Sequence, residues 1–499
     1  MSRVRTAALA GVDGVPVEVE VRISSQLPRV EIVGLPEAAV RESAARVRAA
    51  LAAAGEKFPE RRVTIHLAPA ELRKSGAALD LPIAVALLAA AGQLEAAALS
   101  EIALAGELAL DGRVRPVRGA LALALAVRRA GCTALIAPVD NAREAALAPD
   151  LEVRAAPDLA RVLEHLRGGE RLAVATAAAP ACEAADIEDL ADVRGQELAK
   201  RGLEIAAAGG HGALMIGAPG SGKTMLARRM PGFLPPLDEE EALEVTRIHG
   251  AVAPLAAPVA SRRPFRAPHH TASPAGLVGG GNPPRPGEVS LAHRGVLFLD
   301  ELPEFERRAL EALRQVLEER RVVLVRVGGH VTFPADFQLV AAANPCPCGW
   351  LGSGRRDCRC DDGQVARYRA RISGPLLDRI DLHLRVQPLA WSDLEAPSRS
   401  DAGSASVRER VRAARDRQRA RSFPVNAKLP DAELDRRVDA TPDARALLGR
   451  AVDGFGLSAR AARRVLRVAR TIADLADERR TGPQAIAEAL AYRHDTAGP

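Results

Sequence analysis

A chain of 499 residues exceeds what one hydrophobic core can organise, and about three domains are expected at roughly 100–200 residues each. Its apolar and charged fractions, 47% and 26%, are those of an ordinary soluble protein, and a formal charge of +6 suits a polyanionic partner without specifying one. Six cysteines exclude a disulfide scaffold. The longest apolar runs fall short of the ~20 residues of a membrane helix, and MSRVRTAALAGVDG lacks a signal-peptide core. A cytoplasmic protein with no membrane partner is expected.

Residues 1–168 alternate strand and helix signals. Segments 15–23 (VPVEVEVRI) and 63–67 (VTIHL) carry strand-type alternation. Residues 37–54 predict an amphipathic helix stopped by Gly55, and 81–91 a more buried one. In ELALDGRVRPV, Asp111-Gly112 supplies a hairpin turn. A helix over 120–130 and a strand over 134–137 complete an α+β domain. Residues 169–185, small and weakly patterned, are expected to be a linker. A second composition break, 396–406 (APSRSDAGSAS), separates residues 186–395 from a nearly all-helical block, 407–499.

The chemistry is concentrated between those breaks. Gly217, Ala218, Pro219, Gly220, Ser221, Gly222, Lys223 and Thr224 read G-x-x-x-x-G-K-[ST], preceded by a buried-strand signal (ALMI) and followed by a helix beginning at Met225. Glycines let backbone N–H groups turn around phosphates, and a helix N-terminus adds its positive dipole end. ATP with Mg²⁺ is the expected cofactor. Lys223 would reach the β- and γ-phosphates, while Thr224 and Asp300 would hold the metal. Asp300 ends the apolar run GVLFLDE, and Glu301 after it would act on the attacking water. Asn344, closing QLVAAA, would orient that water. Arg379, in ISGPLLDRIDLHL, could reach a neighbouring subunit's γ-phosphate; the bland alternative is a salt bridge to Asp378 or Asp381. Arg460, at a helix start, is a candidate second sensor. Arg463, Arg464 and Arg467 beside it read as a solvated face or nucleic-acid contacts.

From about residue 186 onward, DVRGQ, GAPGSGKTMLARRMPGFLPPL, RPFRAPHHTAS, GEVSLAHRGVLFLDELPEF, NPCPCG and SGPLLDRIDL resemble the magnesium chelatase-like AAA+ family, and within it the competence protein ComM (YifB) group. The resemblance implies an α/β P-loop AAA+ core, a C-terminal all-helical lid, and a homo-oligomeric ring, a hexamer, with ATP between subunits. In the ComM group it implies a DNA helicase or branch-migration motor. Its expected partners are single-stranded or branched DNA and recombination proteins during natural transformation. In the chelatase group it implies a motor remodelling a protein partner for metal insertion. The stretch GELALDGRVRPVRGALALALAVRRAGCTALIAPVDNARE resembles the Lon-protease-like (ribosomal S5 domain 2-like) domain. Lon's lysine is missing from residues 119–124 (GALALA), and its serine loop is replaced by KSGAALD, with Ser75 ahead of the glycine. A nucleophile without its base is inert, and a non-proteolytic scaffold is expected.

Cys346, Cys348, Cys358 and Cys360 form C-x-C-x₉-C-x-C. Four thiols in one loop suggest a Zn²⁺ knuckle, although C-x-C is tighter than the usual chelating spacing; reduced structural thiols and a redox switch are the alternatives. Cys132 and Cys182 have no partner pattern. His269 and His270, near Arg262, Arg263, Arg266 and Arg285, read as a DNA-gripping loop rather than a metal site.

Overall fold

The computed structural model describes residues 1–74, 76–95, 99–177, 188–255, 259–326, 329–389, 403–421 and 425–493. Ser75, Cys182, residues 178–185 of the first expected linker and 396–402 of the second lie outside them.

The N-terminal part is built on β1 (Ser2–Ala10), β2 (Asp13–Ser24), β3 (Arg29–Val33), β4 (Arg62–Ala68), β5 (Ile102–Leu104), β8 (Ala134–Pro138) and β9 (Glu152–Ala156). They form one sheet in the order β3-β4-β2-β1-β5-β8-β9, antiparallel at β1–β2 and β2–β4 and parallel elsewhere. Between β5 and β8, β6 (Glu107–Leu108) and β7 (Val114–Arg115) make the short hairpin expected around Asp111-Gly112. Val17, Val19 and Val21 of β2 point into the core while Glu18 and Arg22 face out, the period-two pattern of a half-buried strand. The predicted helix 37–54 divides at Glu42 into Ala38–Arg41 and Ser43–Ala53. From the second piece, Ser43 and Arg46 close on buried Asp80 at 2.5 and 2.6 Å. The expected linker also starts late: Ala173 and Ala175 hydrogen-bond to Ala155 and Val153, extending the edge at β9.

The central part contains β10 (Ala213–Gly217), β11 (Phe265–Arg266), β12 (Gly279–Gly280), β13 (Arg285–Pro286), β14 (Val296–Leu299), β15 (Arg321–Arg326), β16 (Gly329–Pro334), β17 (Gln338–Ala343) and β18 (Leu382–Val386). Five make a parallel sheet in the order β11-β14-β17-β10-β18. Every residue of β14 and β17 is buried, as expected for strands covered on both faces. Because β17 slots between β14 and β10, the C-terminal tips of these three strands lie side by side. Ligands of open α/β sheets bind at such a place.

Helices Ser404–Ala420, Pro442–Phe455, Ala459–Leu475 and Pro483–Ala491 follow. They share one apolar core with the helices Glu197–Gly209 and Lys223–Phe233 of the central part. A buried polar network crosses the same junction: His211 bridges Asp381 and Thr471, each at 2.8 Å. The N-terminal part is docked as well. Val12, in the β1–β2 turn, belongs to the apolar cluster containing Phe333 of β16. Asp13 pairs with Arg247 at 2.9 Å, and Gly119 N–H donates to Gly250 O at 2.7 Å. A Cβ on Gly11, where φ is +70°, would fall 2.5 Å from Val331, so the turn lies directly on the β15–β16 hairpin.

Candidate nucleotide-binding site

The loop from β10 to the helix Lys223–Phe233 turns through left-handed glycines, Gly220 at φ +73° and Gly222 at φ +96°. Neither would meet a neighbour if given a Cβ, so the requirement there is conformational. Lys223, buried, donates to Gly217 O at 2.8 Å, Ala218 O at 3.0 Å and Asn344 Oδ1 at 3.2 Å. Burial holds its ammonium below the usual lysine range, against the pull of Asp300 and Glu301. The two carbonyls lie in the loop itself, and the lysine is therefore a charge stored at the mouth with no carboxylate bonded to it. Ser221 Oγ is buried with no hydrogen-bond partner, a polar atom left for a ligand in the loop's concavity.

On the neighbouring tips, Thr224 Oγ1 donates to Asp300 Oδ2 at 2.6 Å, so a hydroxyl and a carboxylate converge as a hard divalent cation requires. Glu301 has left-handed backbone (φ 52°) and is exposed. Its Oε2 lies 3.3 Å from His270 Nδ1. His270 lies against His269 with ring centroids 4.1 Å apart and the planes tilted by 33°. The sequence reading placed these histidines in a DNA-gripping loop; His270 instead faces the carboxylate beside the phosphate mouth. Thirty-one positions separate them in the chain, and no local pattern announces the contact.

Arg379 and Arg460 sit elsewhere. Arg379 adjoins Gly212, at the start of β10, whereas the P-loop begins at its end. Its side chain is buried, pairs with Glu318 and donates to Pro375 O at 2.6 Å. The local salt bridge considered for it, to Asp378 or Asp381, is not the one formed with Asp381: that carboxylate binds His211 and Arg464. Burial, then the like charges of Arg314, Arg460 and Arg464, lowers the Arg379 pKa. Arg379, Arg460 and Arg464 line one cavity of about 220 Å³ on this side. Lys223, Thr224, Asp300, Glu301 and Asn344 thus gather at one end of the sheet, and Arg379 and Arg460 gather at the other.

Several of the arginines that suggest a solvated face or nucleic-acid contacts already hold carboxylate partners, and Arg463 does so on an exposed face. Arg263 is buried on Glu241 at 2.6 Å, and Arg266 is bidentate to Glu288 at 2.7 and 2.8 Å. Arg463 and Arg467 both pair with Asp431, at 2.7 and 2.6 Å. Charge counting could not anticipate these partners, which come from distant elements.

The four cysteines converge. Their sulfurs lie within 4.8 Å of one another, with Cys346–Cys348 at 3.4 Å and Cys358 3.6 Å from both. Backbone N–H groups of Arg359 and Trp350 pull the Cys348 thiol down to about 6.

A P-loop after β10, the fourth strand of a five-stranded parallel sheet, with Asn344 and Asp300 at the tips of the next two strands, β17 and β14, defines an α/β nucleotide-binding core of the AAA+ class. Family comparison is specific. Residues 189–394 match the family described as "Magnesium chelatase, subunit ChlI", 19–141 match "Subunit ChlI of Mg-chelatase", and 401–493 match the ChlI C-terminal family. The chain belongs to the magnesium chelatase-like AAA+ family, in its ComM/YifB group. It is 46% identical to YifB of Salmonella typhimurium over 494 residues, 98% of this chain and 96% of that protein. To the competence protein ComM of Haemophilus influenzae it is 44% identical over 496 residues, 98% and 97% of the two chains. Among the described residues no helix is long and apolar enough to cross a membrane.

Proposed function

We propose that this chain is a cytoplasmic, ring-forming, ATP-driven DNA motor, a helicase or branch-migration engine working on recombination intermediates during natural transformation. One observation supports the motor: Lys223, Thr224, Asp300, Glu301 and Asn344 lie at one end of the sheet, and Arg379 and Arg460 at the other. The Lys223 end and the Arg379 end cannot meet within one chain, but head-to-tail packing of identical subunits joins them. A closed ring, a hexamer, is the assembly this predicts, with Arg379 and Arg460 both acting in trans.

Bound MgATP supplies the γ-phosphoryl group and the cation that neutralises its charge. Lys223 exchanges its loop carbonyls for phosphate oxygens. Thr224 and Asp300 would hold the cation, which would neutralise phosphate charge. Glu301 Oε2 leaves His270 and takes the proton of the attacking water, which the Asn344 amide orients. Arg379 of the next subunit leaves Glu318 to stabilise charge on the equatorial oxygens. A second ion, Zn²⁺, belongs to the cysteine loop.

Residues 1–168 act as a non-proteolytic Lon-like, ribosomal S5-type scaffold, 186–395 as the engine and 407–499 as the helical lid. The β15–β16 hairpin, with Val323 and Val325 exposed, is the element offered to DNA. The Haemophilus influenzae relative is a competence protein by name, which supports DNA as cargo. The chelatase family match favours one other reading, a motor that remodels a protein partner. Steady-state ATPase activity with and without single-stranded and four-way-junction DNA, across a salt series, separates them. Stimulation that fades with salt is expected. Activity indifferent to all DNA would end the DNA reading in favour of the protein-remodelling one.

A further inference from the structure

We infer that Cys346, Cys348, Cys358 and Cys360 bind one zinc ion, and that the loop closed by it is a strut holding Pro219 and Asn344 in place at the phosphate site. The strut rests on the nucleotide-site reading above; the metal site does not.

Residues 351–360 are mostly exposed and bury almost nothing apolar. An excursion without a core needs another source of order. Apart from the cysteines, its contacts are local, such as Arg356 over the Trp350 ring at 4.8 Å and Ser353 Oγ donating to Arg356 O at 3.4 Å. The spacings among the sulfurs of Cys346, Cys348 and Cys358, 3.4–3.6 Å, are far longer than a disulfide bond of ~2.05 Å, and the Cys360 sulfur lies within 4.8 Å of all three. They approach the edge of a tetrahedron around an ion with Zn–S of ~2.3 Å, which is ~3.8 Å. An iron–sulfur cluster, carrying its own bridging sulfides, spreads its protein sulfurs wider than this, and thiolates disfavour Mg²⁺ or Ca²⁺. The Cys348 N–H donates to Cys360 Sγ at 3.4 Å, the kind of outer contact that orients metal-bound sulfur.

The same loop is wedged against the nucleotide site. Gly349, next to Cys348, has φ +82°, and a Cβ there would lie 2.5 Å from Pro219 Cδ and 3.8 Å from Asn344 Cγ. Asn344, two residues before Cys346, is the partner of Lys223. On the other side, Cys360 leads into Asp361, which caps the helix Asp362–Arg369 through a reciprocal bond pair with Gln364. Buried Tyr368 on that helix returns to the backbone of Asn344. Both ends of the loop therefore meet at the same asparagine, and the ion fixes the path between them.

The test uses the full-length protein purified under reducing conditions without chelator. Elemental analysis is expected to find about one zinc per chain, and cobalt(II) exchange to give the visible absorption of a tetrahedral tetrathiolate. The double variant Cys358→Ser/Cys360→Ser is expected to lose the metal. Its ATP turnover should fall on the order of 10²-fold, as for a ~1 Å misplacement of a reacting group. Should that variant misfold by circular dichroism, Gly349→Ala takes its place, keeping zinc while showing the same turnover loss. Zinc-free wild type would overturn the metal site. A zinc-free double variant, or a zinc-loaded Gly349→Ala, turning over like wild type would overturn the strut. Zinc-loaded wild type that binds no ATP would overturn the nucleotide-site reading and the strut with it, leaving the metal site standing.

Discussion

Replacing Arg379 by alanine separates an arginine that serves its own subunit from one that serves the next. β10 spans the five residues between the Arg379 side of the sheet and the P-loop, and at ~3.3 Å per residue that is about 16 Å. Two unit charges so far apart interact by about 1 kcal/mol at an effective dielectric of ~20, which is about fivefold in rate. A guanidinium inserted at the γ-phosphate of a neighbour contributes on the order of 10³–10⁵, or about 4–7 kcal/mol. The fold should survive the change, because Glu318 is 57% exposed and is left solvated rather than stranded. The assay is phosphate release from Arg379→Ala, from Lys223→Ala, and from an equimolar mixture of the two. Each alone should be almost inactive. In mixed rings, Lys223→Ala subunits present an intact Arg379 to the intact P-loop of their neighbours, and activity should return. A loss of fivefold or less in Arg379→Ala, or no recovery in mixtures shown to co-assemble, would refute action in trans.

Glu301→Gln should retain binding of a fluorescent ATP analogue while turnover falls on the order of 10²–10⁴, because an amide cannot accept the water's proton; unchanged turnover would remove Glu301 from the chemistry. His270→Ala should raise the DNA-free ATPase rate by up to ~5-fold, the worth of an exposed polar contact of at most ~1 kcal/mol that parks Glu301; an unchanged or lower basal rate would show that His270 does not restrain it. Burial, and then the charge of Arg493, depresses His383 to about 4, against about 6.5 for a free histidine. The unfolded chain then binds the proton first, so stability falls as pH drops from ~6.5 toward ~4, by about 2 kcal/mol between neutral pH and pH 5. Urea midpoints at the two pH values should show that loss in wild type and much less of it in His383→Gln; an equal loss in the variant would clear His383 of the effect.

The elements that could be read from sequence are those whose signal is local. The P-loop, the acidic strand end and the QLVAAA–Asn344 strand each declare strand, turn and polar tip within about ten residues, and the parallel sheet brings the three tips together. The β15–β16 hairpin had such a signal, two β-branched runs around a Gly-Gly at 328–329, and the sequence reading passed over it. Pairing partners had none. Arg263 finds Glu241, Arg266 finds Glu288 and Arg464 finds Asp381 only because helices and loops distant in sequence pack together. Those pairs neutralise much of the local positive charge that had suggested DNA contacts.

That neutralisation narrows where DNA could be held. A surface arginine already bidentate to a carboxylate offers a phosphate little, because the new pair must first break the old one. The β15–β16 hairpin carries no such debt at its exposed Val323 and Val325. It is also tied to the machinery on two sides. Its exit strand runs through Asp336 into β17, and hence to Asn344. Its base is pressed by Val331 and Phe333 against the β1–β2 turn at Gly11 and Val12. A shift of β17 on phosphate release would therefore move the hairpin against a fixed N-terminal shoulder. On the proposed reading, this is how hydrolysis at one end of the sheet becomes displacement of DNA in the ring.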